Sequence, residues 1–227
     1  IKDLKNVIKN NDFEIRNLLN KTYPTDLNPF IKANKQNYIN GIFLHIKDDS
    51  NLNKPIKIKY DMDENKKKSF LNTRIFISIG KNVSGKIRID DKMNNICYLN
   101  TLFEIFLNEN SNMDIIHLSE KSKTTQIYNF LCSINKNSTL NLSPVDISGK
   151  LIKKNYFISL IGQNSNIYYN SLNLLNDKNH IDNFINIDHL SDHTYSSTKH
   201  KNILSGRSKS VFYSKAIINA DSFNSEA

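Results

Sequence analysis

Residues 128–134 read Tyr128-Asn129-Phe130-Leu131-Cys132-Ser133-Ile134. Tyr128, Phe130, Cys132 and Ile134 fall on alternate positions, with Asn129, Leu131 and Ser133 between them. Successive side chains of a strand point to opposite faces, so this spacing puts one apolar row on a buried face. The same period of two recurs toward the N-terminus. Ile75, Ile77 and Ile79 alternate with Phe76 and Ser78, and Ile56, Ile58 and Tyr60 alternate with Lys57 and Lys59. Further short strands are predicted over 85–89, 102–107, 114–118, 154–160, 167–174, 180–187 and 211–219.

The segments between these strands are turns rich in Asn, Ser, Gly and Asp, such as 162–166 and 177–179. No amphipathic helices intervene. That excludes a doubly wound α/β sheet and leaves an all-β sandwich, barrel or β-solenoid. Asn-Gly, the tight-hairpin signal, occurs once, at Asn40–Gly41, which disfavours a meander of hairpins. Long corners rich in Asn and Ser suit a solenoid. No repeat of fixed length is present, so periodicity alone does not select it.

The period changes near residue 40. Leu4, Val7, Ile8, Ile15, Leu18 and Leu19 share one face at helical spacing. Pro24 and Pro29 interrupt that pattern, and a second short helix is predicted over 28–35. The chain therefore divides into an N-terminal helical segment, residues 1–40, and a β region, residues 41–227.

A length of 227 residues fits one domain with a small appendage. The hydrophobic share of 38% is low, yet Ile, Leu and Phe are numerous enough for a continuous core. No stretch approaches the roughly 20 apolar residues of a membrane span. Residues 1–20 lack the apolar centre of a secretory signal. These features predict a soluble, cytoplasmic protein with no membrane partner. Cys97 and Cys132 show neither C-x-x-C nor metal-ligand spacing and read as reduced, buried thiols.

The net charge of +9 raises nucleic-acid binding as a possible function. Lysine supplies nearly all of it, and arginine, the better bidentate reader of phosphate and bases, occurs only at Arg16, Arg74, Arg88 and Arg207. The lysines are spread along the chain, with one short run at 66–68. Abundant Lys, Asn and Ile match an AT-rich coding bias. The charge is therefore read as solvated surface, with no nucleic-acid partner.

Three local patterns resemble chemical sites. Residues 80–87, Gly-Lys-Asn-Val-Ser-Gly-Lys-Ile, have the glycine and lysine spacing of a phosphate loop. The position after Lys86 requires a magnesium-binding hydroxyl but holds Ile87, and a strand pattern follows instead of a helix. His189, His193 and His200, with Asp188 and Asp192, contain metal-ligand types, but the surrounding serines and threonine read as a polar corner leading into a strand. His45 and His117 sit within strand patterns and read as packing or surface residues. The carboxylates Asp48–Asp49, Asp61–Asp63 and Asp90–Asp91 read as loop residues beside turns, not as a catalytic pair.

The stretch from His189 to Leu204 resembles a signature of the SufB/SufD family of iron–sulfur cluster assembly proteins, on the SufD side. A histidine, His189, is followed by a serine, Ser196, and then by a lysine, Lys201, leading into an apolar strand. Arg207, Val211, Phe212 and Ile217–Ile218 continue the likeness. Upstream, Gly149–Asn155, Gly162, Ser171–Leu172, Asn100–Ile105, Thr73–Ile77 and Lys54–Ile56 resemble earlier parts of the family pattern. The chain departs from it where Asn202 and Ser214 replace glycines, and over Ser222–Ser225.

The resemblance implies a right-handed parallel β-helix. It also implies a non-catalytic scaffold subunit that pairs with SufB and joins the SufC ATPase. His189, Ser196, Lys201, Arg207 and Phe212 are then signature positions with structural roles. No catalytic, cofactor-binding or metal-binding residue is carried over, no cofactor is expected in this chain, and a transient iron–sulfur cluster belongs to the complex. The chain stops at Ala227, so the family's last coils and the C-terminal helical region that meets SufC are expected to be missing. The alternative is a solitary β-solenoid that binds carbohydrate or processes polysaccharide, which calls for a secretion signal and carboxylates clustered on one coil face.

Overall fold

The computed structural model describes residues 1–10, 18, 28–60, 70–92, 98–120 and 124–227. Its strands stack into two sheets. One contains β1 (Lys2–Asp3), β2 (Asn40–Ile46), β4 (Phe70–Ile79), β6 (Tyr98–Leu107), β8 (Thr125–Ile134), β10 (Leu151–Leu160), β12 (His180–His189) and β14 (Lys209–Ile218), in that spatial order. The other contains β3 (Ile56–Tyr60), β5 (Ser84–Lys92), β7 (Asn112–Glu120), β9 (Thr139–Ile147), β11 (Asn166–Leu175) and β13 (Tyr195–Leu204). Strands pair in parallel except at β1, which runs antiparallel to β2. The chain crosses between the sheets at every corner and so winds a parallel β-solenoid of about five turns. This is the fold class that the family resemblance implied.

Register explains why no fixed repeat is visible in the sequence. Phe70 pairs with Tyr98, Tyr98 with Thr125, Thr125 with Leu151, Leu151 with His180, and His180 with Lys209. Successive coils thus take 28, 27, 26, 29 and 29 residues. Most strands are longer than the alternation alone predicted, although β3 keeps the predicted bounds. The segment read as 85–89 runs from Ser84 to Lys92, and β9 and β13 lie where few apolar residues alternate. Asn40–Gly41 opens β2 and makes no hairpin.

The Asn-rich turns have a conformational cause. Asp49, Asn82, Asn110, Asn137, Asn164, His193 and Asn224 all adopt φ of 53–60°. Asn and Asp tolerate this left-handed region better than most residues. At the six corners from Asp49 to His193 the backbone N–H donates to the neighbouring coil, as from Asn110 to Lys136 O at 2.9 Å and from Asn137 to Gln163 O at 2.9 Å. The side chains form a ladder. Asn82 Nδ2 donates to Asp49 Oδ1 at 2.8 Å, Asn110 to Asn82 at 3.1 Å, Asn137 to Asn110 at 3.1 Å and Asn164 to Asn137 at 3.0 Å.

The core lies between the two sheets. Ile75, Phe103, Phe130, Tyr156 and Ile185 form one inward row, and Ile77, Ile105, Cys132, Ile158 and Ile187 form the next. The rings of Phe103 and Phe130 stack with centroids 4.4 Å apart, and those of Phe130 and Tyr156 with centroids 4.6 Å apart.

Two helices cover part of the outer face of the larger sheet, as a two-sided parallel sheet requires. Helix α1 (Leu4–Lys9) is capped by Asp3, which accepts from Asn6 N, and its Leu4 and Val7 pack against Phe43 and Phe76. Helix α2 (Pro29–Asn37) is capped by Asn28, which accepts from Phe30 N at 2.9 Å. Pro29 therefore starts this helix, where its missing N–H costs nothing. Ile31 packs against Leu102, Leu131 and Phe157. Ile15, Leu19 and Pro24 lie outside the described residues. Among the described residues no helix is long and apolar enough to cross a membrane.

Candidate functional site

The solenoid core is not wholly apolar. Along one internal corner, polar residues occupy inward positions in consecutive coils. On the smaller sheet the register stacks Asp91, Ser119, Asp146, Asn173 and Asn202. On the facing strands of the larger sheet it stacks Thr101, Tyr128, Lys154 and Asn183. All of these are buried except Asn202.

Strand parity puts them inside. Lys154 shares its face with Ile152, Tyr156, Ile158 and Leu160, and Asp146 shares its face with Leu140 and Leu142. His117 follows Met113 and Ile115 inward.

The seam is held together by contacts between the sheets. Lys154 Nζ lies 2.6 Å from Asp146 Oδ1 and 3.3 Å from His117 Nδ1. An ammonium only donates, so His117 accepts at Nδ1 and carries its proton on Nε2. Tyr128 donates its hydroxyl to Asp91 Oδ2, and Gln126 Nε2 donates to the same oxygen at 3.4 Å. The Lys154 ammonium also lies 5.4 Å from the centre of the Tyr128 ring.

Burial governs the protonation of this set. It pushes Asp91 up to about 7, against the pull of Lys154 and with help from the charge of Asp146. Asp146 is also raised by burial, with Lys154 opposing. Burial and then the Lys154 charge hold His117 well below its usual range. Tyr156 and Tyr169 are raised, chiefly by burial. The arrangement can therefore hold a neutral histidine and keep a proton on a carboxyl near neutral pH. Cys132 lies in the apolar core, where burial pushes its thiol up to about 12 and keeps it an unreactive thiol. Cys97 lies outside the described residues.

Of the five sequence signature residues, Phe212 continues this seam, stacked in register on Asn183, and the other four lie elsewhere. His189 is buried and continues the inward row of Ile79, Leu107, Ile134 and Leu160. Its Nδ1 lies 2.7 Å from Thr194 Oγ1 and its Nε2 3.0 Å from Ser196 Oγ, so His189 and Ser196 meet. Lys201 is exposed on β13, and Arg207 is exposed in the turn after it, with its backbone N–H donating to Asp177 O at 2.6 Å. Phe212 packs against the core and stacks on His200 with centroids 4.1 Å apart.

The other sequence candidates fall elsewhere. Residues 80–83 form the corner from β4 into β5 and residues 84–87 open β5; Ile87 is buried, and Lys86 pairs with Asp114 at 3.0 Å. His193 sits at a left-handed corner. Among the described residues no group of three or more His, Cys, Asp or Glu is placed to hold a metal ion. His45 Nδ1 lies 3.3 Å from Ser78 Oγ. Asp48 and Asp49 cap the first corner, whereas Asp61 and Asp63 lie outside the described residues. Asp91, read as a loop residue, is instead a buried strand residue of the seam. The seam itself was missed, although a lysine, a histidine and an aspartate at inward parity were its signal.

Fold and interior together define a parallel β-solenoid with a polar line built into its core. The sequence model of the family described as "SUF system FeS cluster assembly, SufBD core domain" matches residues 62–227, and the chain belongs to that family. Its role accordingly lies in SUF iron–sulfur cluster assembly. A search of curated proteins found no match.

Proposed function

We propose that this chain is a SufD-type scaffold subunit, acting in the cytoplasm as a partner of SufB and of the SufC ATPase. The observation that carries this reading is the family match over most of the solenoid, in which the signature residues His189, Ser196 and Phe212 are engaged in hydrogen bonding and packing. The hydrogen-bonded His189, the inert Cys132 thiol and the strand that replaces a phosphate-binding helix all favour a supporting role. In this reading ATP turnover belongs to SufC, and an iron–sulfur cluster is substrate and product of the whole complex. The test is co-expression with SufB and SufC, followed by pull-down and iron and sulfide analysis. Co-purification of both partners supports the scaffold role. Failure to retain SufB overturns it.

A further inference from the structure

Six buried residues of the seam carry polar atoms without a protein hydrogen-bond partner: Asp91 Oδ1, His117 Nε2, Ser119 Oγ, Gln126 Oε1, Asn173 Oδ1 and both amide atoms of Asn183. Each of these residues points inward by strand parity, on the same face as core residues of its own strand. They come from β5, β7, β8, β11 and β12, so successive coils from β5 to β12 contribute to one axial line. Buried polar atoms are almost always satisfied, by protein or by ordered water. An amide flip does not help Asn183, because both of its terminal atoms lack partners. His117 Nε2–H is a donor, and so is Asp91 Oδ1 when it carries the carboxyl proton, because Oδ2 already accepts from Tyr128 and Gln126, whereas Gln126 Oε1 and Asn173 Oδ1 are acceptors. Water both donates and accepts, and it suits such a mixed set. A cation would face the Lys154 ammonium, and an anion would face Asp146.

We propose that the interior corner of this solenoid binds a file of ordered water molecules, running from Asp91 and Ser119 past Lys154 to Asn173 and Asn183. The water-binding atoms belong to consecutive coils, so the file follows the solenoid axis. It gives the buried protons of Asp91 and His117 a hydrogen-bonded route along the core. This inference does not depend on which subunit of an assembly complex the chain is.

The test is oxygen-17 relaxation dispersion on the full chain in solution, which counts waters held for longer than nanoseconds. Ser119→Val exchanges the hydroxyl for a methyl group and adds one more carbon. The expected result is the loss of roughly one to two long-lived waters relative to the unchanged chain, with a lower melting temperature. An unchanged water count with a raised melting temperature overturns the proposal, because the methyl groups would then have filled a dry gap. Should Ser119→Val fail to fold, Ser119→Ala takes its place. For that variant an unchanged dispersion profile is the refuting outcome.

Discussion

Lys154 Nζ and Asp146 Oδ1 lie 2.6 Å apart inside the solenoid, with side-chain exposures of 0% and 1%. Desolvating two charges costs several kcal/mol each, and their mutual attraction recovers this only while both are present. Lys154→Met should therefore destabilise the chain by about 3–5 kcal/mol. Combining it with Asp146→Leu should cost less than the sum of the two single changes. Urea unfolding followed by circular dichroism measures all three. Additive losses would show that the ion pair is not coupled.

Asp91 gives stability a pH dependence of unusual sign for a carboxylate. Burial raises its folded pKa to about 7, above the ordinary carboxylate range, so the folded state holds a proton that the unfolded chain releases. Its contribution is complete below the unfolded pKa and is lost as pH rises through about 7. Asp91→Asn cannot ionise. The melting temperature of this variant should gain on that of the unchanged chain as pH is raised from about 4 to about 8. A constant gap across that range would refute the assignment.

The left-handed corners predict a residue-specific response. Asn137 has φ 56° and donates to Asn110 Oδ1 at 3.1 Å. Asn137→Ala should cost about 1–2 kcal/mol through the left-handed backbone alone, whereas Asn137→Gly should cost less than the alanine change. Equal losses in chemical denaturation would mean that the side-chain ladder, not the backbone, sets the cost.

Helix α2 is tied to the larger sheet through Glu104, whose Oε2 accepts from Arg74 Nε at 2.6 Å and whose Oε1 lies 3.5 Å from Lys35 Nζ. Glu104 is fully buried and Arg74 nearly so. Glu104→Ala should cost about 3–5 kcal/mol by leaving Arg74 without its carboxylate. Lys35→Ala, at the partly exposed end of the network, should cost about 1 kcal/mol or less. Thermal unfolding of both variants distinguishes these outcomes.

ATP turnover is expected to be absent from the isolated chain, because Ile87 is buried where a phosphate loop needs a magnesium-binding hydroxyl. A phosphate-release assay that detects activity abolished by Lys86→Ala would contradict this.

Alternation in segments such as 128–134 was sufficient to identify strands, because the pleat of a single strand sets which side chains share a face. The same rule made the helical start legible, together with the Asn and Ser corners. It also placed Lys154, His117 and Asp146 inward, had the parity of charged residues been followed as closely as that of apolar ones. What the sequence alone determined is therefore local: strand, corner and face, together with the family likeness carried by residues such as His189 and Ser196. Tertiary structure decided which coil lies on which. Coil lengths from 26 to 29 residues hide the repeat, and only the inter-strand register aligns Asp91, Ser119, Asp146 and Asn173. The contact of Lys154 with His117, 37 residues away, also depends on winding. No local propensity encodes such a contact, because its energy exists only after the loops have closed and water has been excluded from the core.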